Sequence, residues 1–210
     1  MKNLHHERKT YDKASLSLLN TEANPFSQFD AWYKEAHDIG GFEANAMVLS
    51  TVSTVGFPSS RMVLLKEYSN TGFVFFSNYN SRKGMELASN KQVSILFFYE
   101  QLQRQIRIEG QVEKLSNQEN DDYFYSRPLE SQYGAMVSPQ SRAIDNKEAL
   151  EDAVEELIKS NKKPQRPASW GGYIVKAINF EFWQGRPNRL HDRICYELNN
   201  KIWHKIQIAP

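Results

Sequence analysis

The chain has 210 residues, 40% of them hydrophobic, enough for one packed domain with or without an arm. A formal net charge of +1 leaves no global basic field, so general nucleic-acid binding is disfavoured and any anion site must come from local clustering. The single cysteine, Cys195, excludes an intrachain disulfide framework and disfavours a cysteine metal site.

Residues 1–23 are polar and mixed in charge, and read as a mobile arm or a weak helix. They lack the apolar core of a signal peptide, and no apolar run in the chain approaches the roughly 20 residues of a membrane span. With the lone cysteine, this predicts a cytoplasmic protein with no membrane partner. Residues 24–210 are predicted to form a single domain. Asn24-Pro25 opens a helix, with Asn at the cap and Pro at the first position. Phe26, Phe29, Trp32, Tyr33 and Ala36 give it an apolar stripe, and Gly40-Gly41 ends it.

Strands follow over 46–53, 61–68 and 73–77, joined by turns at 55–58 and 69–72. A short helix over 81–88 precedes strands over 93–99 and 104–115. Strands joined by tight turns pair antiparallel, so the fold is predicted to be mainly β, a barrel or sandwich with peripheral helices. Helices are predicted over 117–127, ended by Pro128, and over 146–160, where Asp145 and Glu148 suit a capping box. Beyond a basic linker at 161–167, strands return over 172–184, 189–199 and 201–208. No internal repeat or low-complexity tract interrupts this order.

Four places run against the local pattern. Arg82 and Lys83 fall in the first turn of the 81–88 helix, where the helix dipole disfavours cations. They are either a phosphate cradle with the free N–H groups there, or two solvated side chains. Arg189, His191 and Arg193 alternate along a predicted strand and would crowd one face beside Trp183, with Asp192 directed away. That face either meets a ligand or is simply exposed. Tyr123 and Arg127 share a helix face four residues apart, with Ser131 just beyond Pro128; this is a phosphate donor set or a surface pair. Arg61 and Lys66 bracket an apolar strand but point to opposite faces if it is regular, so a common ligand requires a bulge or a dimer interface. Dinucleotide, P-loop, nucleophile-elbow and metal-ligand patterns are all missing, which assigns the chemistry to a cofactor.

Taken in order, several strings carry a resemblance. They are Arg61-Met62-Val63-Leu64-Leu65-Lys66, Asn78-Tyr79-Asn80-Ser81-Arg82-Lys83, Arg104-Gln105, Ser126-Arg127-Pro128, Ser131-Gln132-Tyr133-Gly134, Ser169-Trp170-Gly171-Gly172, Phe182-Trp183-Gln184-Gly185 and Arg189-Leu190-His191-Asp192-Arg193. From about Asn24 to Pro210 the chain resembles the pyridoxamine 5′-phosphate oxidase family. The resemblance implies an antiparallel split β-barrel that binds FMN and works as a homodimer, with the flavin at the interface. The implied reaction oxidises pyridoxamine or pyridoxine 5′-phosphate to pyridoxal 5′-phosphate, with oxygen reduced to hydrogen peroxide.

On that pattern FMN would be held along the strand Arg61, Met62, Val63, Leu64, Leu65 and Lys66. Phe76, Ser77, Arg82, Lys83, Gln105, Gln140, Ser141, Trp183 and Arg193 complete the implied cofactor set. The implied substrate residues are Lys66, Tyr123, Arg127 and Ser131 for its phosphate and Arg189, Leu190 and His191 for its ring, with Arg189 and His191 in the catalytic role. Arg8 and Tyr11 match arm positions that close over substrate in some relatives. Phe76-Ser77 departs from the Tyr-Thr common in the family: Ser77 keeps a hydroxyl and Phe76 lacks one. Two other readings remain: a related flavin oxidase acting on another aromatic metabolite, such as a phenazine precursor, and a module that binds FMN or pyridoxal phosphate without turnover.

Overall fold

Alternating burial builds the central strands. β1 (Ala46–Val52) buries Met47, Leu49 and Thr51, and β5 (Gln92–Tyr99) buries Val93, Ile95, Phe97 and Tyr99. Their inward side chains supply much of one aromatic and aliphatic core. This arrangement comes from a computed structural model that describes residues 2–7 and 9–210.

The remaining strands are β2 (Pro58–Leu64), β3 (Glu67–Ser69), β4 (Gly72–Asn78), β6 (Arg104–Lys114), β7 (Trp170–Gln184), β8 (Asp192–Asn199) and β9 (Ile202–Ile208). All pair antiparallel in one sheet, in the order β2-β1-β5-β6-β7-β4-β3, with β8 and β9 attached to β7. β7 organises the split. One edge pairs with β6 along its length; the other pairs first with β4, from Trp170 to Val175, and then with β8, from Asn179 to Gln184. Between those halves the β6–β7 register slips at Glu109/Gly110, leaving Ile178 unpaired as a bulge that bends the strand. Gly110 is required there, because a Cβ would lie 2.4 Å from the Lys176 carbonyl oxygen. The expected antiparallel split barrel is the observed fold.

Helix α1 (Pro25–Ile39) closes one side of the core. Asn24 caps it by accepting from the Phe26 N–H at 2.8 Å, and Gly40 ends it at φ +67°. Phe26, Phe29, Trp32 and Ala36 are buried, and Phe29 packs edge-on against Tyr68, Phe73 and Phe97. The other helices are α2 (Arg82–Ser89), α3 (Asn117–Ser126), α4 (Leu129–Val137) and α5 (Glu148–Lys159). Residues 9–23 carry no helix or strand and lie along the barrel. Gln103 Oε1 accepts from the N–H groups of Asp12 and Lys13, Asp192 accepts from the Leu16 N–H, and Lys205 donates to the carbonyls of Leu18 and Thr21.

Four local expectations are corrected. The strand predicted over 61–68 breaks after Leu64, because the backbone changes partner: the Leu65 N–H donates to Asn45 on the β1 side and the Lys66 N–H to Val74 of β4. Pro128 ends one helix but also leads directly into α4, which was not foreseen. The Asp145–Glu148 capping box does not form; Asn146 Oδ1 accepts from the Ala149 N–H instead. The strand predicted from 189 begins at Asp192, since Pro187–Arg189 form a 3₁₀ turn with Asn188 and Arg189 at positive φ.

Phe29→Ala is expected to cost about 3–5 kcal/mol, as for other fully buried aromatic truncations. A chemical-denaturation midpoint indistinguishable from wild type would contradict this account of the core.

Candidate functional site

The break after Leu64 has a functional consequence. It lets Lys66 turn into the same cleft as Arg61, which a regular strand forbids. The cleft, about 690 Å³, lies within the size range of small-molecule sites. β2 contributes Arg61, Met62, Val63 and Leu64; β4 contributes Phe76, Ser77 and Asn78; α2 contributes Lys83. Tyr123, Arg127 and Ser131 enter from α3 and α4, with Gln140 and Trp170 completing the wall.

At the start of α2, Ser81 caps the helix by accepting from the Gly84 N–H at 3.2 Å. Lys83 Nζ donates to Ser77 Oγ at 2.9 Å and to Gln140 Oε1 at 3.1 Å. Burial, and then the nearby Arg61, lower the Lys83 pKa; among the described residues this ammonium has hydroxyl and amide partners and no carboxylate. Behind it, Glu86 accepts from Arg82 Nε at 3.0 Å, Arg61 Nη2 at 3.2 Å and Ser59 Oγ at 2.7 Å, and also from Thr51. These partners outweigh burial and hold its carboxyl down to about 2. Its contribution to stability is present above the ordinary 4.5 and is lost as pH falls towards 2.

Across the cleft, Phe76 stacks on Tyr123 with ring centroids 3.8 Å apart, and Trp170 stacks on Phe76 at 5.5 Å. The Arg127 guanidinium lies 4.7 Å over the Trp170 ring. Its Nη1 is buried without a hydrogen-bond partner, and burial lowers its pKa. An orphaned donor on a half-desolvated cation fits an anionic ligand.

A second group of expected residues lies elsewhere. Gln105, Trp183 and Arg193 are directly opposed on β6, β7 and β8, so they form one row on one sheet face. Their neighbours Ile106, Phe182 and Ile194 are fully buried, which directs the row outward. The row continues to Phe98, 52% exposed. Near it, a cavity of about 520 Å³ is lined by Tyr11, Arg186, Arg189 and His191 among others. Trp183 packs 4.5 Å from His191 and edge-on to Tyr11 at 5.9 Å. His191 Nδ1 accepts from the Arg186 N–H at 3.1 Å, which assigns the ring proton to Nε2. Burial and then Arg189 lower the His191 pKa below 6.5, against Asp192. This cavity and the 690 Å³ cleft share no lining residue.

Several expectations need correction here. Arg189, His191 and Arg193 do not share a strand face, because Arg189 sits in the 3₁₀ turn. Arg193 has an acidic partner, donating from Nε to Glu181 at 2.9 Å. Asp192 meets Arg186 at 3.3 Å. Arg82, the first residue of α2, pairs with Glu86 and stands beside the cleft residue Lys83. Leu65 is only 4% exposed and packs into the core, and the exposed Ser141 stands beside the cleft residue Gln140 without lining it. Leu190, 67% exposed, lies between the cavity residues Arg189 and His191. Arg8 lies outside the described residues. Sequence reasoning assigned no site role to Glu86 or Trp170; the Arg82–Glu86 i,i+4 spacing was the available signal for Glu86.

Residues 34–161 match the family described as pyridoxamine 5′-phosphate oxidase, and residues 170–210 match the pyridoxine 5′-phosphate oxidase C-terminal dimerisation region. A pyridoxine/pyridoxamine 5′-phosphate oxidase of Nostoc sp. is 48% identical over 206 residues, covering 97% of this chain and 96% of the relative. The Burkholderia mallei protein of the same name is 48% identical over 207 residues, covering 97% of each. Among solved structures, PhzG from Burkholderia lata, in complex with tetrahydrophenazine-1-carboxylic acid, superposes with TM-score 0.90 at 28% identity, covering 96% of this chain and 100% of that one. A pyridoxamine 5′-phosphate oxidase-related, FMN-binding protein from Nostoc punctiforme shares the fold, with TM-score 0.73 at 14% identity, covering 90% and 100%. Among the described residues, no helix is long and apolar enough to cross a membrane.

Inorganic phosphate is expected to raise the melting temperature, by binding the folded state alone. Arg127→Met should remove about 1.5–3 kcal/mol of anion binding, the worth of a charge-assisted contact. An undiminished phosphate-induced shift in the variant would remove Arg127 from the anion site.

Proposed function

The chain belongs to the pyridoxamine 5′-phosphate oxidase family, and from that premise we propose that it is a homodimeric FMN enzyme oxidising pyridoxamine and pyridoxine 5′-phosphate to pyridoxal 5′-phosphate, with oxygen as acceptor. The observation that carries this reading is the orphaned Arg127 Nη1 over Trp170, in one cleft with Lys66 and with the separate cations Arg61 and Lys83. Two sets of cations on different elements suit two phosphates, one on the cofactor and one on the substrate.

When bound, FMN supplies the two-electron acceptor that no side chain here provides. Arg61 and Lys83, with Ser77 and Gln140, are the residues that would hold its phosphate, and Arg82 adds charge from the first turn of α2. Lys66, Tyr123, Arg127 and Ser131 would anchor the substrate phosphate. Holding both partners by their phosphates turns an encounter into an aligned pair and removes much of the entropy cost. Gln105, Trp183 and Arg193 face outward from their own sheet, so in this reading they serve the cleft of a second protomer. The match to a dimerisation region supports that arrangement. Arg189 and His191 would close over the substrate ring from the same side. His191, tied at Nδ1, presents Nε2–H as a hydrogen-bond donor at neutral pH.

The likeness to PhzG favours a second reading, oxidation of a tricyclic phenazine precursor. An oxygen electrode separates the two. Oxygen uptake is expected with pyridoxamine 5′-phosphate and to be much weaker with unphosphorylated pyridoxamine. Uptake only with a reduced phenazine carboxylate would overturn the proposal, and bound FMN with no uptake on any of these would leave a binding module.

The division of the site between protomers has its own test. Arg127→Met and Arg189→Ala are each expected to lower kcat/KM strongly while FMN stays bound. Co-expressed, they form heterodimers in which one cleft keeps both arginines, and activity should return. No recovery in purified heterodimers would place both residues in a site made by one chain.

A further inference from the structure

Glu86 is a carboxylate placed where electrostatics argues against it. It is 6% exposed, fully ionised at working pH, and lies behind the cations of an anion site. A negative charge there repels a phosphate. As a structural ion pair it is also a weak device, because a well-packed neutral residue often serves stability as well.

Its contacts give another reason. Oε1 accepts from Arg82 Nε, and Oε2 accepts from Arg61 Nη2, Ser59 Oγ and Thr51. Arg61 is held further by its Nη1, which donates to Thr51 Oγ1 at 2.5 Å and to the Leu49 carbonyl at 3.2 Å, and by its Nη2, which donates to Ser59 Oγ at 2.6 Å. One carboxylate thus joins β1, β2 and the first turn of α2. Arg82 gives Glu86 its Nε–H, and its Nη groups have no hydrogen-bond partner among the described residues. Arg61, Arg82 and Lys83 together with Glu86 leave a charge of roughly +2, matching the approximately −1.5 to −2 of a phosphate monoester at neutral pH.

We propose that Glu86 is a positioning residue for the cofactor phosphate: it orients the guanidinium groups of Arg61 and Arg82 before the phosphate arrives. This rests on the FMN reading above and adds a residue that acts on the ligand only through others. Preorganisation raises affinity by removing the ordering cost of two long side chains at the moment of binding.

The sign of one substitution tests it. Flavin fluorescence quenching is measured on the full chain stripped of flavin, with FMN and with riboflavin, which lacks the phosphate. If Glu86 acted only through its charge, Glu86→Gln would tighten FMN. The proposal requires the opposite: FMN bound at least about tenfold more weakly, a difference of about 1.4 kcal/mol, with riboflavin affinity unchanged. Ser59→Ala, which loosens the carboxylate while keeping its charge, should weaken FMN in the same selective way and guards against a misfolded Glu86→Gln. FMN affinity equal to or tighter than wild type in folded variants overturns the role of Glu86 alone. A wild-type chain that binds riboflavin as tightly as FMN overturns the cofactor-phosphate reading itself, and this proposal with it.

Discussion

β7 has to satisfy β6 on one edge and two different strands on the other. A strand of fifteen residues cannot do this flat, since neighbouring strands twist and a continuous ladder would carry β4 and β8 onto one surface. The bulge opposite Glu109/Gly110 relieves the conflict by bending β7 at Ile178. The two directions so created set the cleft and the outward row apart. The first half, with β4, presents Phe76 and Ser77 to the cleft. The second, with β8, carries Trp183 and Arg193 on an outward face.

Holding cations in the cleft comes at a cost to the fold. Lys83 and Arg127 are both partly desolvated, and among the described residues neither has a carboxylate against it. Such groups destabilise the ligand-free chain, and an anion that binds only the folded state returns that free energy as affinity. Arg61 is treated differently, anchored to Glu86 and to two hydroxyls. The cleft therefore combines Arg61, oriented by a carboxylate, with Lys83 and Arg127, whose charge is left for a ligand. Stacking of Phe76, Tyr123 and Trp170 keeps the wall between them rigid at little cost in side-chain entropy.

How much of this could be read from the chain depended on whether the signal was local. Asn24-Pro25 specifies its helix start by itself, and the alternation in β1 and β5 specifies which residues face the core. Arg61 and Lys66 were legible as residues but not as a pair, because the turn that reconciles them comes from a change of backbone partner from Asn45 to Val74 that no local pattern signals. Arg189 was misplaced for a related reason: the positive φ at Asn188 and Arg189 breaks a pattern that otherwise reads as strand. Glu86 stayed hidden because an i,i+4 Arg–Glu pair is ordinarily a solvated surface feature. Only burial and the hydroxyls of Thr51 and Ser59, from another hairpin, give it a different meaning.

The outward row also constrains assembly. A face that places Gln105 and Trp183 beside the exposed Phe98 is poorly suited to water, yet its polar members exclude it from a core. In the proposed homodimer a second copy of the chain would meet both demands, covering the apolar members and offering the polar ones a cleft that needs donors. In that arrangement cofactor and dimer are thermodynamically linked, since a ligand touching both protomers must bind the dimer more tightly than the monomer. The cations at the start of α2 then act beyond their own chain. If they retain the phosphate as proposed, they hold a ligand that the row on the other protomer would also contact, and the repulsion stored in one cleft would become part of what joins the two subunits.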